Sequence, residues 1–590
     1  MIFENEQRNE PTERYDVFLS FTGQDRKLAQ RLAGELHHLG LRVFVDDMID
    51  EFESIDKRIA SALSAAKTLV AIYSREFASR PACQRELMAA FIAAQQSGSP
   101  SDRILVVNPE PSADHLQPIE LADAKYAVPP GDASTARTLA KKIRAKVRAV
   151  DTTLGIPVPP KAPPWIGAIP GRHRFVGRYP ELWALHSALH RPGYALAHTA
   201  LSGPVAALCG LPGAGKTALA AAYAWSFGNA YPAGVFWHRA GEQPTRGSGP
   251  YSESLRSAAV AAGLRRPGRR SRPSDLVIAL GGALRQRGRP LLWVIDEIPE
   301  TFDPADLPRV VPPVGQLLHT ILISRENIFD CGTPALELGA LPTPDAIALI
   351  RAYRPLAEEG ELRAAGQLAE RLGGHCGALS TAGEQLRDAQ GFISVAQYEA
   401  AVGDGSVRAE AAVGPVLNRL TEDEKSIIRL AAVSGSLTLP AELIAAVIGS
   451  TWRTAEALGG IRRRLLATRR ENWWSFHPLV VTAVARTSEA DDAVITTCFV
   501  TELLRLAGTP TASATMLDGI RAMASRVLVS RPDLPLSDER RLRSLLAEPA
   551  SAQESPDDSD RPISSGVAQS RGIASSPPVR TTPNVPMSQE

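Results

Sequence analysis

The sequence predicts a multidomain α/β protein that turns helical in its C-terminal half. Three observations carry that expectation. Residues 15–150 and 172–335 alternate short apolar runs with stretches of helical periodicity, the pattern of parallel sheets covered by helices. A glycine-rich loop, GLPGAGKT, joins one apolar run to an Ala-rich helix. At 590 residues the chain also exceeds what one core can hold, so three or four domains are expected.

Taken in order, YDVFLSF (Tyr15–Phe21) predicts a strand ending in the turn TGQD. RKLAQRLAGELHHLG sets Leu28, Leu32, Leu36 and Leu39 near one helix face and stops at Gly40. LRVFV, TLVAIYS and RILVVN predict further strands, with IDKRIASALSAA and ACQRELMAAFIAAQQ as the helices between them. KYAV and a helix over 134–150 close a first domain at 1–150. Residues 151–171 are rich in Pro and Gly, can continue neither helix nor central strand, and predict a linker. A second α/β domain over 172–335 has strands in PVAALCG, GVFWHRA, LLWVID and HTILISR. Residues 336–410 predict a helical domain, 411–486 compact helices with a small wing, and 487–547 a short helical region. The Ser-, Pro-, Asp- and Gln-rich tail 548–590 cannot bury enough apolar surface to order itself.

Composition narrows the function classes. A net charge of +1 gives no bulk attraction to nucleic acid or acidic membranes. The 5 cysteines are scattered and form no CxxC pair, which argues against a disulfide framework or a zinc site and fits a reducing cytoplasm. The N-terminus is polar and acidic rather than a signal peptide, and no apolar run reaches the length of a membrane span.

GLPGAGKT matches the phosphate-binding pattern G-x-x-x-x-G-K-[ST] in the required strand-to-helix context. Gly210, Gly213 and Gly215 let backbone N–H groups turn toward phosphates, and the helix N-terminus adds positive potential. Lys216 is expected to neutralise the β/γ-phosphates of ATP or ADP, and Thr217 to ligate Mg²⁺. LLWVIDE puts Asp296 at the C-terminal edge of the sheet to hold Mg²⁺ through water, with Glu297 orienting an attacking water. The bland reading of Asp296-Glu297 alone is a turn after a strand.

FVGR (Phe175–Arg178), the phosphate loop, LLWVIDE, ILISR, LGGHCGAL and FHPLV stand in the order of NB-ARC-type STAND ATPases, so Phe175 to Val480 resembles that family. The resemblance implies a nucleotide latch between domains: Val176 against the adenine, Arg325 sensing the γ-phosphate, and His477 of a winged-helix domain touching the ADP β-phosphate. The bland alternative for His477 is a half-buried histidine on a strand. The chain departs from the family pattern at Cys376, where a Pro is usual, and at Pro478, where an Asp follows the family's His.

YDVFLSFTGQD, LRVFVDD, AIYSREF and CQREL likewise resemble a TIR domain over Tyr15–Val150, which implies a flavodoxin-like fold. The resemblance implies either assembly with other TIR domains or cleavage of NAD⁺. Glu86 stands where catalytic members carry their glutamate, with Phe21 and Thr22 lining the same cleft. A carboxylate beneath the ribose would stabilise the positive charge that builds as nicotinamide leaves. A solvated glutamate near a helix start is the bland alternative. Ala82 replaces the Trp of many NAD-cleaving relatives, and the loop DDMIDEFESI lacks the usual Gly.

The expected protein is thus a cytoplasmic nucleotide-switched defence protein that self-associates through its TIR and NTPase domains. On activation it cleaves NAD⁺ in a cell-suicide response, in answer to an unknown ligand or protein. A TIR scaffold without chemistry is one alternative. A STAND-type transcriptional regulator is another, but nucleic acid is the less expected partner: the run Arg462, Arg463, Arg464, Arg469 and Arg470 reads as a solvated face. LRRPGRRSRP carries no assigned role. Residues 487–546 show no internal repeat and are too few for a stable repeat array.

Overall fold

The computed structural model describes residues 14–46, 55–155, 165–167, 174–190, 203–245, 249–268, 271–328, 335–356, 358–389, 391–403, 417–464, 466–485, 492–507, 514–530 and 536–547. The loop 47–54 and the tail after 547 lie outside them.

The first unit is a parallel sheet of β1 (Tyr15–Ser20), β2 (Val43–Phe44), β3 (Ala66–Ile72) and β4 (Ile104–Val107) in the order β2-β1-β3-β4. Its helices are α1 (Arg26–His38), α2 (Ile55–Ala65), α3 (Arg75–Ser79), α4 (Pro81–Ser97), α5 (Pro100–Arg103), α6 (Ile119–Ala122) and α7 (Ala133–Arg148). Val17, Phe18 and Leu19 are all buried because helices cover both faces of the central strand. KYAV, expected as a strand, makes a single bridge between Ala127 and Val107. Pro129 and Pro130 follow at once and have no N–H with which to extend a ladder.

The second sheet is parallel throughout, in the order β10-β6-β9-β8-β7-β5. Its strands are β5 (Trp165–Gly167), β6 (Val205–Gly210), β7 (Val235–Arg239), β8 (Leu291–Ile298), β9 (Leu318–Ser324) and β10 (Ala335–Leu338). Helices α8 (Tyr179–His190), α9 (Lys216–Ser226), α10 (Pro250–Ala261), α11 (Pro273–Arg287) and α12 (Leu307–Val310) accompany it. Two expected boundaries move. The segment read as a linker supplies edge strand β5, because Trp165 finds Trp225 and Trp237 at 4.7 and 6.1 Å between ring centroids. An edge position also tolerates the prolines on either side. The sheet also runs past residue 335, since β10 pairs with β6 from Ala335 to Leu338.

Among the described residues, helices α13 (Thr343–Tyr353), α14 (Glu359–Arg371), α15 (Cys376–Asp388) and α16 (Val395–Gly403) follow. Next come α17 (Glu422–Val433), β11 (Thr438–Pro440), α18 (Ala441–Ile448), α19 (Thr451–Arg463), β12 (Ala467–Arg470), β13 (Trp473–Phe476) and α20 (Pro478–Ala485). The three strands form an antiparallel sheet in the order β11-β13-β12, and the β12–β13 hairpin is the expected wing. Helices α21 (Asp492–Ala507), α22 (Ala514–Ser530) and α23 (Leu536–Ala547) complete the described chain. Among the described residues no helix is long and apolar enough to cross a membrane.

The first unit is docked on α8. On α4, Gln84, Met88 and Phe91 share one face by helical spacing, while Cys83 and Glu86 turn toward the end of β1. Gln84 Oε1 accepts a 2.9 Å hydrogen bond from Trp183 Nε1, and the Phe91 ring meets Trp183 edge-on at 5.2 Å. From α6, the Ile119 amide donates to Ser187 Oγ at 3.0 Å. Trp183 is 1% exposed and Phe91 fully buried, so this seam is core-like.

Candidate functional site

All six residues of β6 are buried, and the strand delivers its chain into the phosphate loop at the C-terminal edge of the sheet. Gly213 and Gly215 adopt φ of +78° and +94°, which only glycine holds without strain. A Cβ at Gly213 would also lie 2.7 Å from His375 Cε1. Lys216 is buried at the start of α9, and its ammonium donates to the loop's own carbonyls, Gly210 O at 2.7 Å and Leu211 O at 2.9 Å. Burial pushes its pKa down to about 8, and Asp296 opposes that fall. Thr217 Oγ1 donates to Asp296 Oδ1 at 3.3 Å, and the Glu297 amide donates to the same oxygen at 2.8 Å. Burial raises the Asp296 pKa above the usual carboxylate range. Glu297 is exposed on an irregular stretch of β8 with φ of +58°, and Arg325 is exposed just after β9.

Three other segments close over this loop. His375 accepts from the Ala378 amide through Nδ1, capping α15, so its Nε2–H donates to Pro212 O at 2.8 Å. The Gly377 amide donates to Gly213 O at 2.8 Å. Arg178, buried with φ of +58°, pairs with Glu181 at 2.6 Å and donates to Gly339 O at 2.6 Å, Ala214 O at 3.4 Å and Cys376 Sγ at 3.6 Å. His477 arrives from the winged-helix region with its ring 5.8 Å from that of His375. Burial pushes its pKa down to about 4, and its Nδ1 is buried with no hydrogen-bond partner among the described residues. Val176 is half-buried beside Arg178. Leu211, Ala214, Leu338, Gly339, His375, Cys376 and His477 help to line a cavity of about 130 Å³.

These residues fit an anionic nucleotide with its metal. Among the described residues, a buried ammonium bonded to loop carbonyls, an imidazole nitrogen without a partner and a paired Thr–Asp all face the same loop. The cavity is smaller than the roughly 300–1,000 Å³ that small-molecule sites occupy. Arg178 and His375 were not singled out by the sequence as site residues. Their signals were only an Arg after a Gly and a His before a small-residue helix start.

Ion pairs add to the closure. Arg464 lies 3.3 Å from Glu326 and 2.5 Å from Glu424, and Arg419 pairs with Glu300 at 2.7 Å. Arg462, Arg463 and Arg469 are exposed as expected, but Arg464 departs from the solvated face because Glu326 follows directly on the sheet edge.

The second candidate site lies at the C-terminal end of β1. Glu86 sits in the second turn of α4, half-buried, and accepts a 2.5 Å hydrogen bond from Ser20 Oγ. Burial pushes its pKa up to about 7, against the lowering effects of Ser20 and Arg85. It is thus more enclosed than a solvated helix-start carboxylate. Phe21 is half-buried with the Arg26 guanidinium 5.5 Å from its ring centroid, and Thr22 is buried and bonded to Asp25 at 2.8 Å. Cys83 donates to Phe21 O at 3.5 Å, and its thiol is pushed up to about 12, chiefly by burial. Ala82 is exposed on the first turn of α4. Ser20 is a neighbour the sequence did not flag, since a Ser at a strand end is commonplace.

Residues 17–139 match the family model of the TIR domain. No curated protein matches the chain. Solved structures similar to it include a Walker-type ATPase of Pyrococcus abyssi, 16% identical, covering 54% of this chain and 98% of that one with a TM-score of 0.39. Another is a signal transduction ATPase with numerous domains (STAND) protein with a tetratricopeptide repeat sensor from Pyrococcus horikoshii, 17% identical, covering 65% of this chain and 55% of that one, TM-score 0.28. A third is the ORC2 protein of Aeropyrum pernix in ADPNP–ADP complexes, 17% identical, covering 57% and 96%, TM-score 0.34.

Proposed function

We propose that this chain, with a TIR domain at residues 17–139, is a nucleotide-switched signalling protein whose TIR domain cleaves NAD⁺ once released to self-associate. The observation that carries the reading is the Glu86–Ser20 pair at the strand end, on a helix clamped against the nucleotide-binding half. ATP or ADP would be held by the loop amides, Lys216 and His477, and Mg²⁺ by Thr217 and Asp296. The metal supplies positive charge against the β/γ-phosphates. Glu297 would position water, Arg325 would report the γ-phosphate, and Val176 would pack on the base.

In the TIR cleft, the bond between nicotinamide and the ribose breaks with its electron pair going to nicotinamide, which leaves neutral. The ribosyl cation so formed faces the Glu86 carboxylate, fixed in orientation by Ser20 Oγ. Water then adds to the ribosyl carbon and gives up a proton, or the adenine of the same molecule closes a ring. Phe21 and Thr22 would wall the pocket. Uncontrolled NAD⁺ loss kills a cell, which gives a latch its purpose and suits a cell-suicide response such as defence against phage.

The test follows nicotinamide release by the full chain with ADP, with a non-hydrolysable ATP analogue, and after forced clustering. Release on clustering that vanishes in Glu86→Ala supports the reading. No release from clustered wild type would overturn it in favour of a TIR scaffold, a reading that the exposed Ala82 in place of an aromatic wall favours.

A further inference from the structure

Helix α8 turns a second group of side chains toward the TIR domain, independent of both sites above. His186 and His190 stand one turn apart in the run His-Ser-Ala-Leu-His, so their rings stack at 4.0 Å between centroids. Glu120 of α6 reaches across the seam, its Oε1 2.8 Å from His186 Nε2. Among the described residues, these three bring one ligand atom each to within 4.8 Å of one another.

We propose that Glu120, His186 and His190 form a binding site for a divalent transition-metal ion of the zinc type, bridging the TIR domain to the nucleotide-binding half. Two imidazoles and a carboxylate are a donor set that zinc accepts, with a fourth position left for water. An outer contact already sets the tautomer of His190. His190 Nδ1–H donates to His186 O at 2.9 Å, which leaves its Nε2 lone pair free. His186 Nδ1 faces Tyr223 OH at 3.3 Å, and the chain continues to Tyr231 OH at 2.8 Å and His319 Nδ1 at 3.0 Å. Where His186 is the first donor of that chain, its Nε2 lone pair points at a carboxylate oxygen and the two must share a positive centre, either a proton or a metal ion. With the opposite polarity, Nε2–H donates to Glu120, and a metal would displace that single proton. The second carboxylate oxygen, Glu120 Oε2, is buried and has no hydrogen-bond partner among the described residues, as a ligand atom held for an ion would be.

The experiment titrates chelator-stripped, nucleotide-free full chain with Zn²⁺ against a chromophoric competitor, and with Co²⁺ by visible absorption. One ion per chain is expected, with a d–d spectrum lacking thiolate charge transfer. Both His190→Ala and Glu120→Gln should weaken binding at least ~10-fold. Zn²⁺ should also raise the melting temperature of wild type and not of the variants. Glu120→Gln keeps the shape of its side chain at a partly exposed position, so it serves if His190→Ala does not fold. No stoichiometric ion in wild type, or equal affinity in wild type and the folded variants, would leave the group as a proton-bridged pair and overturn the site.

Discussion

Trp183→Ala tests whether α8 restrains the helix that carries Glu86. Trp183 is 1% exposed and packs on Phe91 across the seam, on Phe227 at 6.0 Å and on His186 at 6.5 Å. Truncating a buried tryptophan costs about 3–5 kcal/mol, and roughly a third of that falls on the seam, because of these three ring neighbours Phe91 lies across it and Phe227 and His186 do not. The hydrogen bond to Gln84 adds about 1 kcal/mol. Together, roughly 2.3 kcal/mol should raise the undocked population about 50-fold. The Ile119 amide reads this directly, because its hydrogen-bond partner is Ser187 Oγ on the far side of the seam. Hydrogen exchange at Ile119 in the full chain should accelerate by about 50-fold. The Leu154 amide, bonded to Ala66 O inside the first unit, should keep its rate. Gln84→Ala, which spares the ring packing, should give about 5-fold at Ile119. An unchanged Ile119 rate in Trp183→Ala would show that the seam does not hold the domains. Faster exchange without faster nicotinamide release would show that docking does not restrain the chemistry.

Lys216→Ala removes the one buried ammonium of the phosphate loop, and ATP affinity should fall at least ~30-fold by titration; equal affinity would refute the site. His375→Ala deletes the bond to Pro212 O that closes the turn over the loop, so a fluorescent ADP analogue should exchange several-fold faster, and an unchanged rate would show that this turn is not the gate. Nicotinamide release should rise with pH through about 7, because the ionised Glu86 is the working form and burial keeps it protonated below that value. The same shift has a stability sign. The folded state holds the Glu86 proton to higher pH than the unfolded one, so its contribution is full below about 4.5 and is lost as pH climbs to about 7. Glu86→Gln should flatten that slope in unfolding measurements across this window.

What could be read from the sequence was whatever rests on local pattern. GLPGAGKT needs only its own glycines and the helix after it, so Lys216 and Thr217 were placed without coordinates. Alternating runs gave the strands of both sheets, except where pairing depends on distant partners. Trp165–Gly167 becomes a strand only because β7 offers an edge and Trp225 a ring. Ala335–Leu338 extends the sheet only because β6 lies beside it. The residues that close over the phosphate loop were illegible for the same reason. Arg178, His375 and Arg464 act through contacts across 36 or more positions of sequence, and no periodicity records such pairings.

Helix α8 is where these long-range contacts meet. At its N-terminal end, Gly177 packs so closely that a Cβ would lie 2.2 Å from Asp345, and Arg178 ties the phosphate loop, the end of β10 and the first residue of α15 together. Over its next turns, Trp183, His186 and Ser187 hold the TIR domain through α4 and α6. A helix of 12 residues is stiff on this scale, so its two ends cannot shift independently. The His375–Gly377 turn closes over the phosphate loop, and that turn shares Cys376 with Arg178. Any rearrangement that breaks the Arg178 contacts therefore releases the start of the same helix that clamps the Glu86-bearing α4. The left-handed backbone of Arg178, costing on the order of 1–3 kcal/mol and held in place by those contacts, favours that release once they are gone. Coupling between the phosphate loop and the TIR cleft needs no longer path than this one helix.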